Sequence, residues 1–470
     1  MDDHISESGL RTLLHAQRMA WARQVPDHMQ RMDDLARLRV AFQARFARLA
    51  QAMSDDFGQR SRHESQLSDQ MTVLHDIDHA RRHLKRWMRP HRHWADIAFF
   101  PAHIEVHPRP LGVIGVIAPW NYPVSLALMP LVEALAAGNH VMLKPSELTP
   151  RTSAALAELV AAVFPPERVV VVQGDAAVGA MFAALPFDHL VFTGSTAVGR
   201  KVALAAAANL TPVTLELGGK SPALIAPGYA LALAAARIAQ GKLLNAGQTC
   251  VATDYVLLPR GRVPDFVQAL RAYVQKHYPV LRSTPDFSSI VSARHYTRLH
   301  ALVDDARAQG AEVITLPDTT AHDAARRIFA PTLLLRADAS MRVMQEEIFG
   351  PILPVLEYDS LEEAIATINS QPRPLALYVF DDDARRAARV IAAIPAGTAG
   401  INDTVVQFAQ TRLPFGGIGA SGMGHLHGHA GFLNFSKQLP VFRQSRWSGL
   451  GLLRPPYGKL AERMLRWLAR

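Results

Sequence analysis

One cysteine, Cys250, stands among 470 residues, so no disulfide can form within the chain. That absence points to a reducing compartment, and the cytoplasm is the expected location. No uninterrupted apolar run approaches the ~18 residues of a membrane-spanning helix. The first ten residues, MDDHISESGL, lack the basic start and apolar stretch of a secretory leader. Neither export nor an integral membrane segment is expected. Histidines at 425, 427 and 429, and the pair His75 and His79, come without an HExxH pattern or companion cysteines, so no metal site is expected. Ser153, Ser195 and Ser421 lie in no G-x-S-x-G elbow, which argues against a serine hydrolase.

What is present is a 49% hydrophobic chain, long enough for two or three domains with substantial cores. Its formal charge of +9 comes from basic residues spread among Asp and Glu, with no recognition motif beside them. A solvated basic surface is expected rather than a nucleic-acid interface, although a positive field would favour an anionic ligand.

From about 10 to 90 the apolar residues recur three and four apart, predicting helices, and Pro90 ends the last. Then DIAFFPAHIEVHPRP predicts extended chain interrupted by prolines, a hairpin outside the main sheet. Short apolar runs follow (LGVIGVIAP, HVMLKP, RVVVVQGD, HLVFTGS, PVTLELGG), separated by Ala- and Leu-rich helical stretches. That alternation predicts an α/β protein with parallel strands and ligands at their carboxyl ends. A second α/β series starts near 220, after Gly218 and Gly219, and the tail RPPYGKLAERMLRWLAR predicts a basic amphipathic helix, either docked or lying on a membrane surface.

Five stretches carry chemistry. In FTGSTAVGRK, Gly194 and Ser195 sit at a strand-to-helix turn that could bring backbone N–H groups to a phosphate; glycine there can also be purely structural. The triphosphatase loop is not matched, since Arg200 and Val202 replace its lysine and hydroxyl. Lys144 and Glu147 end a strand where they could hold a ribose, or form an ordinary ion pair. Glu216 lies inside an apolar strand, where burial should raise its pKa toward that of a useful base, and QEEIFGP adds Glu346 and Glu347 next to Phe349. In NAGQTCVATD, Cys250 has small polar neighbours, as for a thiol presented on a turn, though a packed spectator remains open.

Taken in order, APWNYP, LKPSE, FTGSTAVG, LELGGKSP, GQTC, EEIFGP and PFGGIGASGMG resemble the aldehyde dehydrogenase superfamily from about residue 60 to 440. Within it, PFDHLVFTGS, YPVLRSTPDFSSIVSARHYTRLH and GQTCVATDYVLLP are most similar to bacterial coniferyl aldehyde dehydrogenases, a branch near the fatty aldehyde enzymes. The resemblance implies a Rossmann-like cofactor domain, an α/β catalytic domain and a small oligomerisation hairpin. Mapped onto this chain, these are residues 1–217 with the hairpin at 92–108, then 218–412, with 413–470 returning to the cofactor domain and the oligomer interface of a homodimer. It implies Cys250 as nucleophile, Asn121 as oxyanion donor and Glu216 as the base that activates water. It implies NAD, with NADP also accepted, bound by Trp120, Lys144, Glu147, Gly174, Gly194, Ser195, Glu347 and Phe349. The implied reaction oxidises an aldehyde to a carboxylic acid through a thiohemiacetal and a thioester. Coniferyl aldehyde is the first expected substrate, medium or long aliphatic aldehydes the second, and a non-redox thiol hydrolase the reading from another class. Residues 402–412 are the expected pocket wall. One departure is Thr253, where relatives of this branch commonly carry proline, so a less rigid loop is expected.

Overall fold

The computed structural model describes residues 5–318, 321–446 and 448–469. The amino-terminal helices are Glu7–Arg23, His28–Phe57 and Met71–Trp87. Ser6 and Asp27 cap the first two by accepting from the backbone N–H groups of Gly9 and Gln30, which satisfies donors that a helix start leaves unpaired. The long second helix buries Leu35, Leu38, Phe42, Phe46, Leu49, Met53 and Phe57, an apolar stripe at helical spacing. It packs on helices Ser125–Ala137 and Pro150–Ala161, and all three share one core with the first sheet.

That sheet has the strand order Gly422–Met423, Val213–Leu217, His189–Gly194, Val113–Ile117, His140–Lys144, Val169–Val171. The chain builds outward from Val113–Ile117 in one direction, then returns to add His189–Gly194 on its other side. Such a reversal leaves a crevice at the carboxyl ends of the two strands, and Ile117, Lys144 and Gly194 all end there. The five longer strands are parallel, but Gly422–Met423 is antiparallel and pairs Gly422 with Glu216. It arrives from the far end of the chain rather than through a helical crossover, which frees it from the parallel rule.

After Leu217 the chain crosses to the second sheet, entering it at Pro222–Ile225. Its order is Glu312–Thr315, Thr332–Leu335, Ile352–Tyr358, Tyr255–Pro259, Pro222–Ile225, Ala376–Phe380, Thr398–Ile401, and only the first strand is antiparallel. A third, antiparallel sheet joins His91–Trp94, His103–Pro110 and Ser436–Arg443. The hairpin therefore starts at His91, before the prolines that suggested it. Its connection contains a short turn at Ile97–Phe99, and a third strand from the carboxyl-terminal segment completes it. The terminal helix Lys459–Leu468 leaves Leu460, Leu465 and Trp467 exposed. No helix among the described residues is long and apolar enough to cross a membrane.

A buried ion pair ties the helical layer to the first sheet. Arg168 donates to Asp34 through Nε at 2.9 Å and Nη2 at 2.6 Å, and to the carbonyl of Asn139 at 3.0 Å. Removing one partner of such a pair strands the other charge in a low-dielectric interior. Asp34→Ala is therefore expected to destabilise the fold by about 3–5 kcal/mol, measured by urea denaturation; a loss under about 1 kcal/mol would show that Arg168 regains water.

Candidate active site

Helix Leu231–Leu243 ends in a turn in which Asn245 and Ala246 take left-handed φ of 51° and 52°. Gly247 follows at φ +75°, and a Cβ there would lie 2.4 Å from the carbonyl oxygen of Gly350, so only glycine fits. The turn delivers Cys250 partly buried at the junction of the two sheets. Side chains from distant segments hold it. The Gln248 amide donates to the carbonyls of Asn245 at 3.0 Å and Ser289 at 3.1 Å, and accepts from the N–H of Val291 at 2.9 Å. Tyr122 and Thr249 share a 2.6 Å hydroxyl contact, and the Tyr378 hydroxyl donates to the carbonyl of Val251 at 2.6 Å. Thr253, where relatives of this branch commonly carry proline, is fully buried.

Asn121 follows strand Val113–Ile117, and its side-chain Nδ2 donates to the carbonyl of Gln248 at 3.1 Å. Its own carbonyl accepts from Arg60 at 2.6 Å and from Asn245 Nδ2 at 3.0 Å. Arg60 in turn pairs with the buried carboxylate of Asp69, which accepts from the N–H of Ser125. Glu64 accepts from the N–H of Asn245 at 3.1 Å and the Ser288 hydroxyl at 3.0 Å, and burial pushes its pKa up to about 7. Sequence reasoning missed Arg60, Glu64, Asp69, Asn245 and Gln248. Arg60 lies just before helix Arg62–Ser65, with Glu64 and Asp69 in the helical turns that follow, no local pattern marks them, and apart from the Arg60–Asp69 pair their partners are more than 50 residues away.

Cys250 and Glu216 line one cavity with Thr193, walled by Leu126, Met129, Leu375, Phe408, Phe415 and Leu426. Of the stretch 402–412, only Phe408 reaches this wall; Gln407 is instead turned inward onto the Tyr378 hydroxyl. Both carboxylate oxygens of Glu216 are buried without a hydrogen-bond partner. Burial alone holds its pKa well above the usual carboxylate range. The Cys250 thiol is pushed up to about 12, first by desolvation, then by the charges of Glu347 and Glu216.

The crevice side holds the remaining predicted residues. Strand His189–Gly194 passes directly into helix Thr196–Ala207, with Ser195 as its cap at 3.4 Å from the N–H of Val198. A Cβ on Gly194 would come 2.5 Å from the Phe192 ring, which leaves bare backbone at the helix start. Lys144 is buried and pairs at 3.7 Å with the half-exposed Glu147. Gly174, at φ +152°, begins the turn into helix Ala176–Ala183, whose Gly179 packs on the Lys144 stem. Glu347 lies half-buried against Gly218, where a Cβ would be 1.9 Å from its carboxylate, and it accepts from the N–H of Gly219. Desolvation first, then Asp254, pushes its pKa up to about 8. Phe349 stands edge-on to Trp120, ring centroids 5.3 Å apart. Bare backbone N–H groups at a helix start, and a buried lysine paired with a carboxylate at the end of a neighbouring strand, are groups of the kind that hold the pyrophosphate and ribose of a dinucleotide. Among the described residues no group of three or more His, Cys, Asp or Glu side chains is disposed to hold a metal.

A doubly wound sheet whose strand order reverses at Val113–Ile117, joined to a second, mostly parallel sheet, is the architecture of dinucleotide-binding enzymes. The profile of the aldehyde dehydrogenase family matches residues 13–439. The coniferyl aldehyde dehydrogenase of Pseudomonas sp. (strain HR199) is 46% identical over 421 residues, covering 89% of this chain and 87% of that protein. The substrate-bound Staphylococcus aureus AldH superposes with a TM-score of 0.93 at 35% identity, covering 98% and 99% of the two chains. The Mycobacterium tuberculosis aldehyde dehydrogenase complexed with NAD+ gives 0.83 at 28% identity, covering 94% and 91%. The chain belongs to the aldehyde dehydrogenase family.

Because Cys250 is the only thiol, its ionisation can be followed directly by mass spectrometry of iodoacetamide-treated protein. Alkylation should be slow at neutral pH and accelerate toward high pH, as expected for a thiol held near 12. Removing a neighbouring negative charge favours the thiolate, so Glu347→Gln should move this profile down by roughly one pH unit. An unmoved profile would show that the Glu347 charge does not reach the sulfur.

Proposed function

We propose that this aldehyde dehydrogenase oxidises coniferyl aldehyde to ferulate with NAD, using Cys250 as nucleophile, Asn121 as oxyanion donor and Glu216 as general base. The observation that carries the reading is the shared cavity: the one thiol of the chain and an unpaired buried carboxylate line the same apolar pocket. Cys250 gives up its proton to solvent and the thiolate adds to the aldehyde carbon, giving a thiohemiacetal oxyanion. The oxyanion takes hydrogen bonds from Asn121 Nδ2 and the backbone N–H of Cys250. NAD, when bound, supplies the hydride acceptor that turns this adduct into a thioester. Glu216 then takes a proton from water, the resulting hydroxide attacks the thioester carbon, and the C–S bond breaks to return Cys250 and release the carboxylate. Burial in an apolar pocket raises the proton affinity of this carboxylate, which strengthens it as a base for that step.

Lys144 and Glu147 would hold the adenosine ribose, Gly194 and Ser195 the pyrophosphate, and Glu347 the nicotinamide ribose, with Gly174, Trp120 and Phe349 lining the cleft. The carboxylate of Glu147 disfavours the additional phosphate of NADP by charge repulsion, while leaving it as a weaker alternative. Phe408 and Phe415, edge to face with centroids 4.9 Å apart, give the pocket an aromatic wall suited to a cinnamyl ring. The relative named for coniferyl aldehyde supports the same choice. We assign residues 1–217 to the cofactor domain, 218–412 to the catalytic domain and 413–470 to a returning segment. The three-stranded sheet, with Trp94 94% exposed and Phe442 53% exposed, would form the interface of a homodimer. The single cysteine supports a cytoplasmic protein.

Cys250→Ser should abolish NADH formation while leaving NAD binding by calorimetry intact. Glu216→Gln should release about one NADH per site in a burst and then turn over roughly 100-fold more slowly. Full steady-state turnover in either variant would sink the mechanism. In parallel, NADH absorbance with coniferyl aldehyde should exceed that with hexanal by at least about tenfold in kcat/KM. The reverse preference would move the enzyme to aliphatic aldehydes with its mechanism unchanged.

A further inference from the structure

Asn121 and Cys250 belong to different sheets. Asn121 follows strand Val113–Ile117 of the first, whereas Cys250 lies on the turn that precedes strand Tyr255–Pro259 of the second. A third piece of chain, the stretch from Arg60 to Asp69, bonds to both sides.

The side chains of Arg60 and Asp69 are both shut off from solvent. Arg60 Nη1 donates to the main-chain carbonyl of Asn121 at 2.6 Å, and Nη2 donates to Asp69 Oδ2 at 3.1 Å. The guanidinium carbon packs on two rings, 4.9 Å from the centroid of Phe57 and 5.0 Å from that of Tyr122. Phe57 also meets Trp120, with centroids 6.2 Å apart. Trp120, Asn121 and Tyr122 are thus all seated against the segment around Arg60. Asp69 is braced in turn by the N–H of Ser125, 2.9 Å from its Oδ1.

The contacts run on into the nucleophile turn. The Tyr122 hydroxyl meets Thr249 at 2.6 Å, and Asn121 Nδ2 donates to the Gln248 carbonyl at 3.1 Å. The Asn121 carbonyl takes a second bond from Asn245 Nδ2 at 3.0 Å, so one oxygen is held from both sides. Glu64, in the turn after Arg60, accepts from the N–H of Asn245 at 3.1 Å. A buried ion pair is a poor source of net stability, because an apolar replacement of both partners is often neutral. Here Arg60 Nε is also left buried without a partner, which adds to the cost. What the pair supplies is direction. A guanidinium donates in a fixed, planar fork, and a pinned carbonyl fixes the peptide plane that starts at the Asn121 Cα. The orientation of the Asn121 side chain follows from that plane.

We propose that Arg60, braced by Asp69, is a positioning residue for the oxyanion step, holding the Asn121 amide in register with the Cys250 turn across the two sheets. The inference rests on Asn121 being the oxyanion donor. Arg60 is not among the residues that line the cavity of Cys250 and Glu216, so it acts through Asn121 and Tyr122. A displacement of about 1 Å at a reacting centre costs on the order of 100-fold in rate, which sets the scale of the effect.

The test uses the paired variant Arg60→Met/Asp69→Asn, which removes both charges together and strands neither. The new amide oxygen still accepts the Ser125 N–H. Stopped-flow NADH formation should show a burst slowed by roughly 10- to 100-fold, with KM for the aldehyde and calorimetric NAD affinity unchanged within about twofold. Arg60→Lys keeps the charge beside Asp69 but loses the fork, and should recover part of the rate. In an Asn121→Ala background the paired change should slow the burst by less than about twofold more, because the amide it positions is gone. A wild-type burst rate in the paired variant would overturn the assignment. So would a full further loss in the Asn121→Ala background, since Arg60 would then act by another route. A lower burst amplitude that matches a loss of folded protein by circular dichroism, at an unchanged rate per site, would show a purely structural role and overturn it as well. If the paired variant does not fold, Arg60→Lys decides alone: a burst slowed with KM unchanged supports positioning, and a wild-type burst overturns it. Failure of the donor reading itself is seen separately, as an undiminished burst in Asn121→Ala alone.

Discussion

The constraint on which the site depends is the burial of the Glu216 carboxylate in an apolar pocket with neither oxygen paired. A polar group in that position costs free energy on folding, so the surrounding structure must hold it there. Strand Val213–Leu217 does so by hydrogen bonding on both sides, to His189–Gly194 and to the returning Gly422–Met423, which pairs with Glu216 itself. The residue that closes the sheet edge thus comes from the end of the chain, and it brings His427 to the pocket with it. Because the folded state binds a proton here more tightly than the unfolded chain, this carboxyl favours the fold at low pH. That contribution fades as pH rises from the usual carboxylate range toward its raised value.

Around this buried base the remaining charges are sorted by solvent access. Lys220 bonds to the buried Asp254 and to the Val343 carbonyl, anchoring the segment that leads to Glu347. Asp254 also accepts from the N–H of Ile348 at 3.1 Å, so one carboxylate fixes the crossover after Gly219 and the EEIFGP loop together. Glu347 is left with the Gly219 N–H as a partner and stays easily protonated. Burial first, and then the Glu347 and Glu216 charges, favour the thiol form of Cys250. The loop that carries it stores left-handed backbone at Asn245 and Ala246, and the contacts from Glu64, Asn121 and Gln248 over-determine that geometry.

Much of this was legible in the order of residues. Short apolar runs ending in LKPSE, FTGS and LELGG mark parallel strands because a strand covered on both faces must be apolar along its whole length. The glycines at 194 and 218 mark close approach because their Cβ positions are already filled by Phe192 and Glu347. The hairpin was harder to place: prolines at 101, 108 and 110 signalled extended chain, yet its first strand is HRHW, which has no strand pattern of its own and is exposed throughout. Within 402–412 it is Phe408 that faces the cavity, after the backbone turns at Val405, φ 69°.

By itself the sequence determined the α/β layering, the motif order that marks the family, and the chemical types available: one thiol, one carboxylate in an apolar strand and one asparagine after a strand. These are properties of local pattern and residue chemistry, and local pattern survives without a third dimension. The tertiary structure alone decided which groups became neighbours. Arg60 reached the Asn121 carbonyl, Glu64 the Asn245 amide, and Glu133 the amide of His427, 294 residues away. Contacts of that separation leave no periodicity to read. They exist because two sheets and a returning strand converge on one pocket, where burial then sets how tightly each carboxyl holds its proton.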